Sequence, residues 1–409
     1  MTRTCRACGA PLRESVVDLG MQPLSNGFVP AERLAAMEPT YPLHVFVCTA
    51  CWLVQIDAVA ARETIFADDY AYFSSYSTTW LDHARRYAER MIAERALGAS
   101  SLVVELASND GYLLRWFAER GVPVRGVEPT AGTARAAEAQ GVPTTVAFFG
   151  RETARALVDA HGRADLMVAN NVLAHVPDLN DFLAGIALAL APQGLATIEF
   201  PHLLELLERV EYDTIYHEHF SYFSLLAAGT AFARHGLAVV DVEQLPTHGG
   251  SLRLHVAHEG SVPVSERVGT LLARERAAGL DDVEAYRGFA ERVRASKFAL
   301  LEYLIAARRA GLRVAAYGAA AKGNTLLNYC GVRTDLIEYV VDRNPHKVGT
   351  FAPGTHLPVR AVDYVDEDRP DVLLILPWNL ADEITEQMAR IRAWGGRFAV
   401  PIPLVRELP

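Results

Sequence analysis

Ten residues, "IYHEHFSYFS" at positions 215 to 224, hold two histidines, a glutamate, two tyrosines and two serines in a chain otherwise rich in alanine and leucine. Groups of these types move protons. An imidazole with an unperturbed pKa of ~6.5 exchanges its proton near neutrality, and a positioned base contributes roughly 10²- to 10⁴-fold to a rate. His217 and His219 both qualify. In an extended segment they would share a face with Glu218 opposite, whereas in a turn Glu218 could orient either ring, so spacing leaves the choice open. Two other uses compete with a base. Core or capping histidines need no ligand, and a metal site would need a third ligand such as His202 and lacks the His-Glu-x-x-His spacing of zinc hydrolases.

A second constellation is made of thiols. Four of the five cysteines fall as Cys5-x-x-Cys8 and Cys48-x-x-Cys51, leaving Cys330 alone. In a reducing compartment two such pairs point to tetrathiolate zinc before disulfides. Four thiolate ligands leave no position open for water, so this zinc would hold the fold and do no chemistry. The interval from 9 to 47 exceeds the usual zinc-ribbon spacing, and a redox dithiol at either pair is the competing use.

The elements that must position these groups follow from periodicity. The aromatic run "FADDYAYFSSYSTTW", 66 to 80, contains Tyr70 and is too rich in hydroxyls for plain core. Residues 80 to 98 have helical spacing, and "SLVVELASNDGYLLRWFAERG" reads as strand, glycine-containing turn and helix. A second strand closes on Glu128, and "ADLMVANNVLAHV" is a strand leading into a loop that carries Asn170, Asn171 and His175. A helix capped by Asp178 or Asn180 and the strand "LATIEFPH" follow, then a helix capped by Ser224 and a hairpin near 237 to 245 and 251 to 258. A long helical stretch, about 265 to 310, precedes a further α/β run. Alternating strands and helices predict parallel sheets with ligands at the strands' carboxyl ends.

The first of these turns lacks the Gly-x-Gly-x-x-Gly of a dinucleotide site. It offers Glu105, Ala107, Asn109 and Gly111 at alternate positions, and Glu105 would suit an ammonium group. Glu128, twenty-odd residues on, could accept both hydroxyls of a ribose, and Phe148 in "VAFF" could stack on an adenine. This order resembles the S-adenosylmethionine-dependent methyltransferases, with Ala107 and Asn109 departing from the glycines of their first motif.

Over nearly all of its length the chain also resembles a narrower family, the C-methyltransferases that build branched deoxysugars on TDP-linked 4-keto sugars in antibiotic pathways. "QPLSNGFVP", "YAYFSSYS", "ELASNDGYLL", "IYHEHFSYFS", "HGGSLRL" and "YGAAAKGNTLLNYCG" carry the likeness, together with the paired Cys-x-x-Cys. Moving a methyl group to carbon needs a base beside the ketone. The resemblance implies His219 in that role, Tyr216 and Glu218 ordering it or the sugar, and Tyr70 and His175 near the sugar. It also implies carbon 3 as the methylated position.

The second α/β run supplies Lys322 and Asn324 near Gly318 and Gly323, between a strand and a helix start where amide dipoles favour phosphate. His248, Ser251 and Arg253 in "HGGSLRL" are further substrate candidates, although strand alternation could turn Arg253 to solvent.

The expected architecture is α/β: a zinc-binding module (1 to 70), a Rossmann-like S-adenosylmethionine domain (71 to 260) and a second Rossmann-like domain for the sugar nucleotide (261 to 409). A net charge of -10 disfavours nucleic acid as the main ligand, and no stretch reaches the ~18 to 20 apolar residues of a membrane span. A cytoplasmic monomer is expected. Two rivals remain: an NAD-dependent sugar-nucleotide oxidoreductase using "YGAAAKGN" with Asp342, and a non-catalytic zinc-containing binding protein.

Overall fold

The computed structural model describes residues 3–59, 74–76 and 78–409, so Tyr70 and most of the aromatic run lie outside the described residues. Within them three sheets form. β1 (Glu14–Gln22), β2 (Tyr41–Val47) and β3 (Val54–Ile56) make an antiparallel meander. β4 (Val103–Leu106), β5 (Val124–Glu128), β6 (Thr144–Val146), β7 (Ala164–Asn170) and β8 (Leu190–Pro201) run parallel, and β9 (Ser221–Tyr222) follows. β10 (Leu237–Leu245) and β11 (Ser251–His258) form the expected hairpin and extend the parallel strands to the order β10-β11-β8-β7-β4-β5-β6. β12 (Val314–Tyr317), β13 (Val340–Asp342), β14 (Val359–Ala361), β15 (Val372–Ile375), β16 (Arg397–Val400) and β17 (Arg406–Leu408) take the order β14-β13-β12-β15-β16-β17, with only β17 antiparallel.

Both α/β sheets reverse strand order beside their first strand, which opens a crevice at the carboxyl ends of β4 and of β12. β4, "VVEL", is buried at every residue, as expected of a strand covered on both faces. The long helical stretch is broken. It ends once near Gly279, whose left-handed φ of 80° lets Gly279 and Leu280 donate back to Arg276 and Glu275, and resumes as a short helix at Glu284–Arg287 and a long one at Phe289–Arg309.

β9 does not stay with the sheet that precedes it in the chain. It pairs antiparallel with β3, Val54 opposite Tyr222 and Gln55 opposite Ser221, and Ile56 N donates to Phe220 O at 3.1 Å. The opening stretch is thus the fourth strand of the N-terminal sheet.

That sheet is covered on both faces because its residues alternate. Leu43, Val45, Val47, Val54 and Ile56 enter one core with Val293, Leu300 and Leu304 of the helix Phe289–Arg309 and with Leu326 and Leu327. Phe46, Cys48 and Leu53 enter another with Phe182, Phe223 and Phe232. The N-terminal module is a wedge between the two α/β units.

The four paired cysteines bring their Sγ atoms within 4.8 Å of one another. The 3.5 Å contacts run between the pairs, Cys5 to Cys51 and Cys8 to Cys48, far beyond the ~2.05 Å of a disulfide. Neither pair stands alone as a redox dithiol, and the donor set fits tetrahedral zinc. Gln55 of β3 ties the site to the sheet, donating to Cys5 Sγ at 3.2 Å and accepting from Arg6 N at 2.9 Å.

Metal analysis should find one zinc per chain, and Cys48→Ser should lose it together with several degrees of melting temperature, since ~1 kcal/mol shifts Tm by about 2 to 4 °C in domains of 150 to 250 residues. Full zinc content in that variant would overturn the tetrathiolate site.

Candidate active site

Glu105, Glu128 and Asn170 stand at or beside the carboxyl ends of β4, β5 and β7. Glu105 is 1% exposed, and its Oε2 has no partner among the described residues. Burial raises its pKa well above the usual carboxyl value; Asp110 and Glu128 add to this while the Tyr112 hydroxyl opposes it. An ammonium group arriving there would satisfy the orphaned oxygen. Just beyond, Ala107, Asn109 and Gly111 have φ of 51°, 49° and 77°. The alternate left-handed positions explain the spacing of the motif, and Ala107 carries a strain of order 1 kcal/mol that glycine would not. Asn109 tolerates the conformation more readily, and its Oδ1 accepts from Ser74 N at 2.9 Å. A β-carbon on Gly111 would lie 3.1 Å from Val142 Cγ2, a tight contact that adds to the strain of a side chain at φ 77°.

Glu128 is 4% exposed. Its Oε2 accepts from Asn109 N at 2.9 Å, and its Oε1 accepts from Thr130 N at 2.9 Å and from the Thr130 hydroxyl. It links β5 to the turn after β4 and does not cap the next helix, whose N-cap is Thr130. Phe148 is half-buried, its carbonyl held by Thr153 Oγ1 at 2.9 Å. Asn170 donates to Tyr112 OH at 3.4 Å, and Asn171 has φ 55°. The Oδ1 atoms of both are buried without a partner among the described residues. Orphaned acceptors around a left-handed turn fit an ammonium- and ribose-bearing ligand, S-adenosylmethionine.

The opening stretch turns at Tyr216 to His219, where His219 N donates to Tyr216 O at 2.9 Å, and this separates the two imidazoles. His217 points to the N-terminal module, 3.3 Å from Pro42 O and edge-on to Tyr41. His219 turns the other way: its Nδ1 lies 2.8 Å from Thr214 O. A carbonyl only accepts, so Nδ1 carries the hydrogen and the lone pair sits on Nε2, which has no hydrogen bond among the described residues. His175 packs edge-on at 4.7 Å between ring centroids, and Tyr216 lies across the ring at 4.0 Å. Burial drives His219 well below its ordinary 6.5; His175, Lys322 and His248 add to this against the Thr214 carbonyl. Burial likewise takes His175 down to about 4, with the Glu218 backbone opposing. The Glu218 side chain is tied to the N-terminal module, where its Oε1 accepts from Asn26 at 2.6 Å. His202 lies elsewhere, its Nε2 2.7 Å from Glu275 Oε1, and among the described residues the only metal-capable cluster is the four cysteines.

Three expected substrate residues are committed inside the protein. Arg253 is 3% exposed, bonds Glu199 at 2.7 Å, sits 3.5 Å from Glu243 and covers the Tyr87 ring, so it cannot reach a phosphate. It lies opposite Glu199 of β8 on β11, a strand buried on both faces from Ser251 to Ala257. Ser251 donates to Thr247 O at 3.0 Å and fixes the turn around His248. Asn324 donates to Ser25 O at 2.7 Å and joins the C-terminal unit to the loop that carries Asn26. Lys322 and His248 remain at the junction, His248 taken down to about 4 by burial and by Lys322 and His83, with Glu199 opposing.

The sequence reading missed Trp80, which stacks on His83 at 4.9 Å and meets His248 edge-on at 5.6 Å. It also missed Glu211 and Asp213, although two acids just before a histidine-rich stretch were a visible signal.

Comparison with known proteins adds a full-length match. The chain is 37% identical over 412 residues to C-methyltransferase NovU from Streptomyces niveus, covering 99% of this chain and 96% of that protein. The chain belongs to the C-methyltransferases. Family models match its C-methyltransferase C-terminal domain over residues 246–403, a "Putative zinc binding domain" over 5–66 and a methyltransferase domain over 80–242. A ubiquinone biosynthesis O-methyltransferase from Rhodopseudomonas palustris is 27% identical over 96 residues, 24% of this chain and 38% of that one. A solved structure of magnesium protoporphyrin IX methyltransferase from Synechocystis with bound S-adenosylmethionine covers 50% of this C-methyltransferase and 100% of its own chain, at 12% identity and a TM-score of 0.36. Membership decides against the oxidoreductase and the non-catalytic binding protein. The C-methyltransferase uses S-adenosylmethionine and a structural zinc.

Glu128→Ala should weaken S-adenosylmethionine binding by about 1.5 to 3 kcal/mol, the worth of charge-assisted hydrogen bonds. Because Glu128 also holds Asn109 and Thr130, Glu128→Gln should lose less; calorimetry showing full affinity in both would move the ribose elsewhere.

Proposed function

We propose that this C-methyltransferase methylates a ring carbon, carbon 3, beside the 4-keto group of a TDP-linked deoxysugar in antibiotic deoxysugar formation, with His219 as the base. The observation that carries the base is the hydrogen bond from His219 Nδ1 to Thr214 O, which directs the Nε2 lone pair away from the backbone. Support for the sugar and the carbon comes from the motif resemblance. A carbohydrate carbon is not nucleophilic until an adjacent ketone lets its C–H ionise. The C–H bond breaks, the proton passes to His219 Nε2, and its electron pair moves into the carbonyl as an enolate. When bound, S-adenosylmethionine supplies the electrophilic methyl group.

The remaining residues hold geometry and charge. His175 and Tyr216 confine the His219 ring on two sides. Glu218, anchored by Asn26, fixes the turn, and Tyr70 is assigned to the sugar. The lowered proton affinity of His219 keeps it unprotonated at neutral pH, ready to accept. The proposed division is residues 1–70 for zinc, 71–260 for S-adenosylmethionine and 261–409 for the sugar nucleotide, with no nucleic-acid or membrane partner and a monomeric, cytoplasmic chain. No helix among the described residues is long and apolar enough to cross a membrane.

With the demethylated product in place of S-adenosylmethionine, the enzyme should exchange the reacting sugar hydrogen with deuterated water. His219→Gln should slow exchange and turnover ~10²-fold or more while both ligands still bind, and His217→Gln should retain most exchange. Wild-type exchange in His219→Gln would remove it as the base.

The pH profile is a separate check. A base whose pKa is lowered stays unprotonated as pH falls through 6.5, so exchange should hold from pH 8 past 6.5 and decline only below it. Half-loss near 6.5 would show an unperturbed imidazole instead.

A further inference from the structure

Where the two α/β units meet, three buried polar atoms lack partners among the described residues: Glu211 Oε1, Asp213 Oδ1 and His248 Nδ1. Glu211 is 2% exposed and Asp213 0%. Glu211 caps the short helical turn Tyr212–Thr214 and Asp213 lies within it, and its last residue, Thr214, supplies the carbonyl that orients His219. Opposite them, at the crevice above β12 and β15, stand Lys322 and Trp378. Trp378 Nε1 donates to Asp213 Oδ2 at 2.8 Å. Lys322 Nζ lies 4.7 Å from the Trp378 ring centre and donates to Asn379 Oδ1 at 3.2 Å. A β-carbon at Gly249, where φ is 95°, would fall 2.6 Å from both Glu211 Oε1 and Trp378 Cη2. The glycine keeps this junction open.

Buried polar atoms without partners cost free energy unless something meets them. The set is mixed: an ammonium donor on Lys322, a carboxylate acceptor on Asp213 and an imidazole on His248. Burial pushes the Glu211 carboxyl up to about 8, against the pull of Lys322 and with Asp213 adding, so it too is a donor at neutrality. A diphosphate would bring further negative charge against Asp213. A ketone flanked by a hydroxyl asks for one donor and one acceptor side by side. Lys322 and His248 are also near enough to lower the proton affinity of His219.

We infer that Lys322, Glu211 and Asp213, walled by Trp378 and Gly249, form the subsite for the keto edge of the sugar, and that Lys322 does not hold the diphosphate. Lys322 meets the carbonyl oxygen as enolate charge develops, and Asp213 accepts from the neighbouring hydroxyl. The inference rests on the proposed sugar substrate.

Its test compares two probes, TDP alone and a TDP-linked 4-keto-6-deoxyhexose, on the zinc-loaded full chain, with S-adenosylmethionine binding as the control for folding. Lys322→Met should leave TDP affinity within about twofold and lower keto-sugar affinity and hydrogen exchange by ~10-fold or more. Equal loss for both probes would return the lysine to the phosphates and overturn the subsite. Gly249→Ala drives a strained β-carbon against Glu211 and Trp378 and, where S-adenosylmethionine binding stays intact, should weaken the keto sugar but not TDP. If Lys322→Met loses S-adenosylmethionine binding, that second variant decides alone, and unchanged keto-sugar affinity in it overturns the inference. Wild-type enzyme that binds TDP but gains nothing from the keto sugar overturns both readings, whereas keto-sugar binding with intact variants overturns the subsite only.

Discussion

Two rungs of antiparallel pairing, Val54 with Tyr222 and Gln55 with Ser221, hold the candidate base in place. A segment that leaves one α/β unit is captured as the edge strand of a sheet built near the N-terminus. That sheet in turn is fastened at Cys5 through Gln55. A histidine two residues before a strand of two residues has little local structure to fix it. The turn at Tyr216 to His219 is set from outside: by the β3 pairing on one side, by Pro42 against His217, and by Asn26 against Glu218. The N-terminal module therefore orders the turn that carries the candidate base.

The same wedge explains why the two α/β units form one site. One face of the small sheet shares a core with the helices of the C-terminal unit, and the other with the S-adenosylmethionine unit. Asn324 reaches Ser25 and Lys347 reaches the Phe28 ring at 5.0 Å, so the loop "PLSNGF" is gripped from the C-terminal side while Asn26 reaches Glu218 in the turn that carries the candidate base. Both crevices are thereby held on either side of residues 211 to 219.

Burial sets the electrostatics of the site. His175, His219 and His248 all lose proton affinity to desolvation, and the cation of Lys322 reinforces it for two of them. Glu199 shows the opposite outcome. Burial alone would raise its carboxyl, but His83 and Arg253 overcome that and hold it below the ordinary value. Neutral imidazoles and a raised Glu211 carboxyl on one side, and a compensated ion pair on the other, let many ionisable groups share one buried junction.

Local chemistry was legible in the sequence wherever it depends on neighbours along the chain. The strands closing on Glu105 and Glu128 and the Asp178 and Ser224 caps all follow from periodicity and short-range hydrogen bonding. The glycine-containing turn after Glu105 was likewise legible, whereas its left-handed backbone at Ala107 and Asn109 appears only in the structure. Cysteine spacing likewise announced a four-thiolate site. Tertiary structure alone decided which way each group faces. Arg253 and a phosphate-binding arginine look identical in sequence, because alternation gives the period of a strand but not whether both of its faces are covered, as they are on β11 from Ser251 to Ala257. His217 and His219 differ only by a turn that a distant strand imposes. Glu211 and Asp213 were visible as two acids before a histidine-rich stretch, but only the fold placed Lys322, more than a hundred residues away, across from them. A charge's role is set by what faces it, and sequence separation carries no record of that.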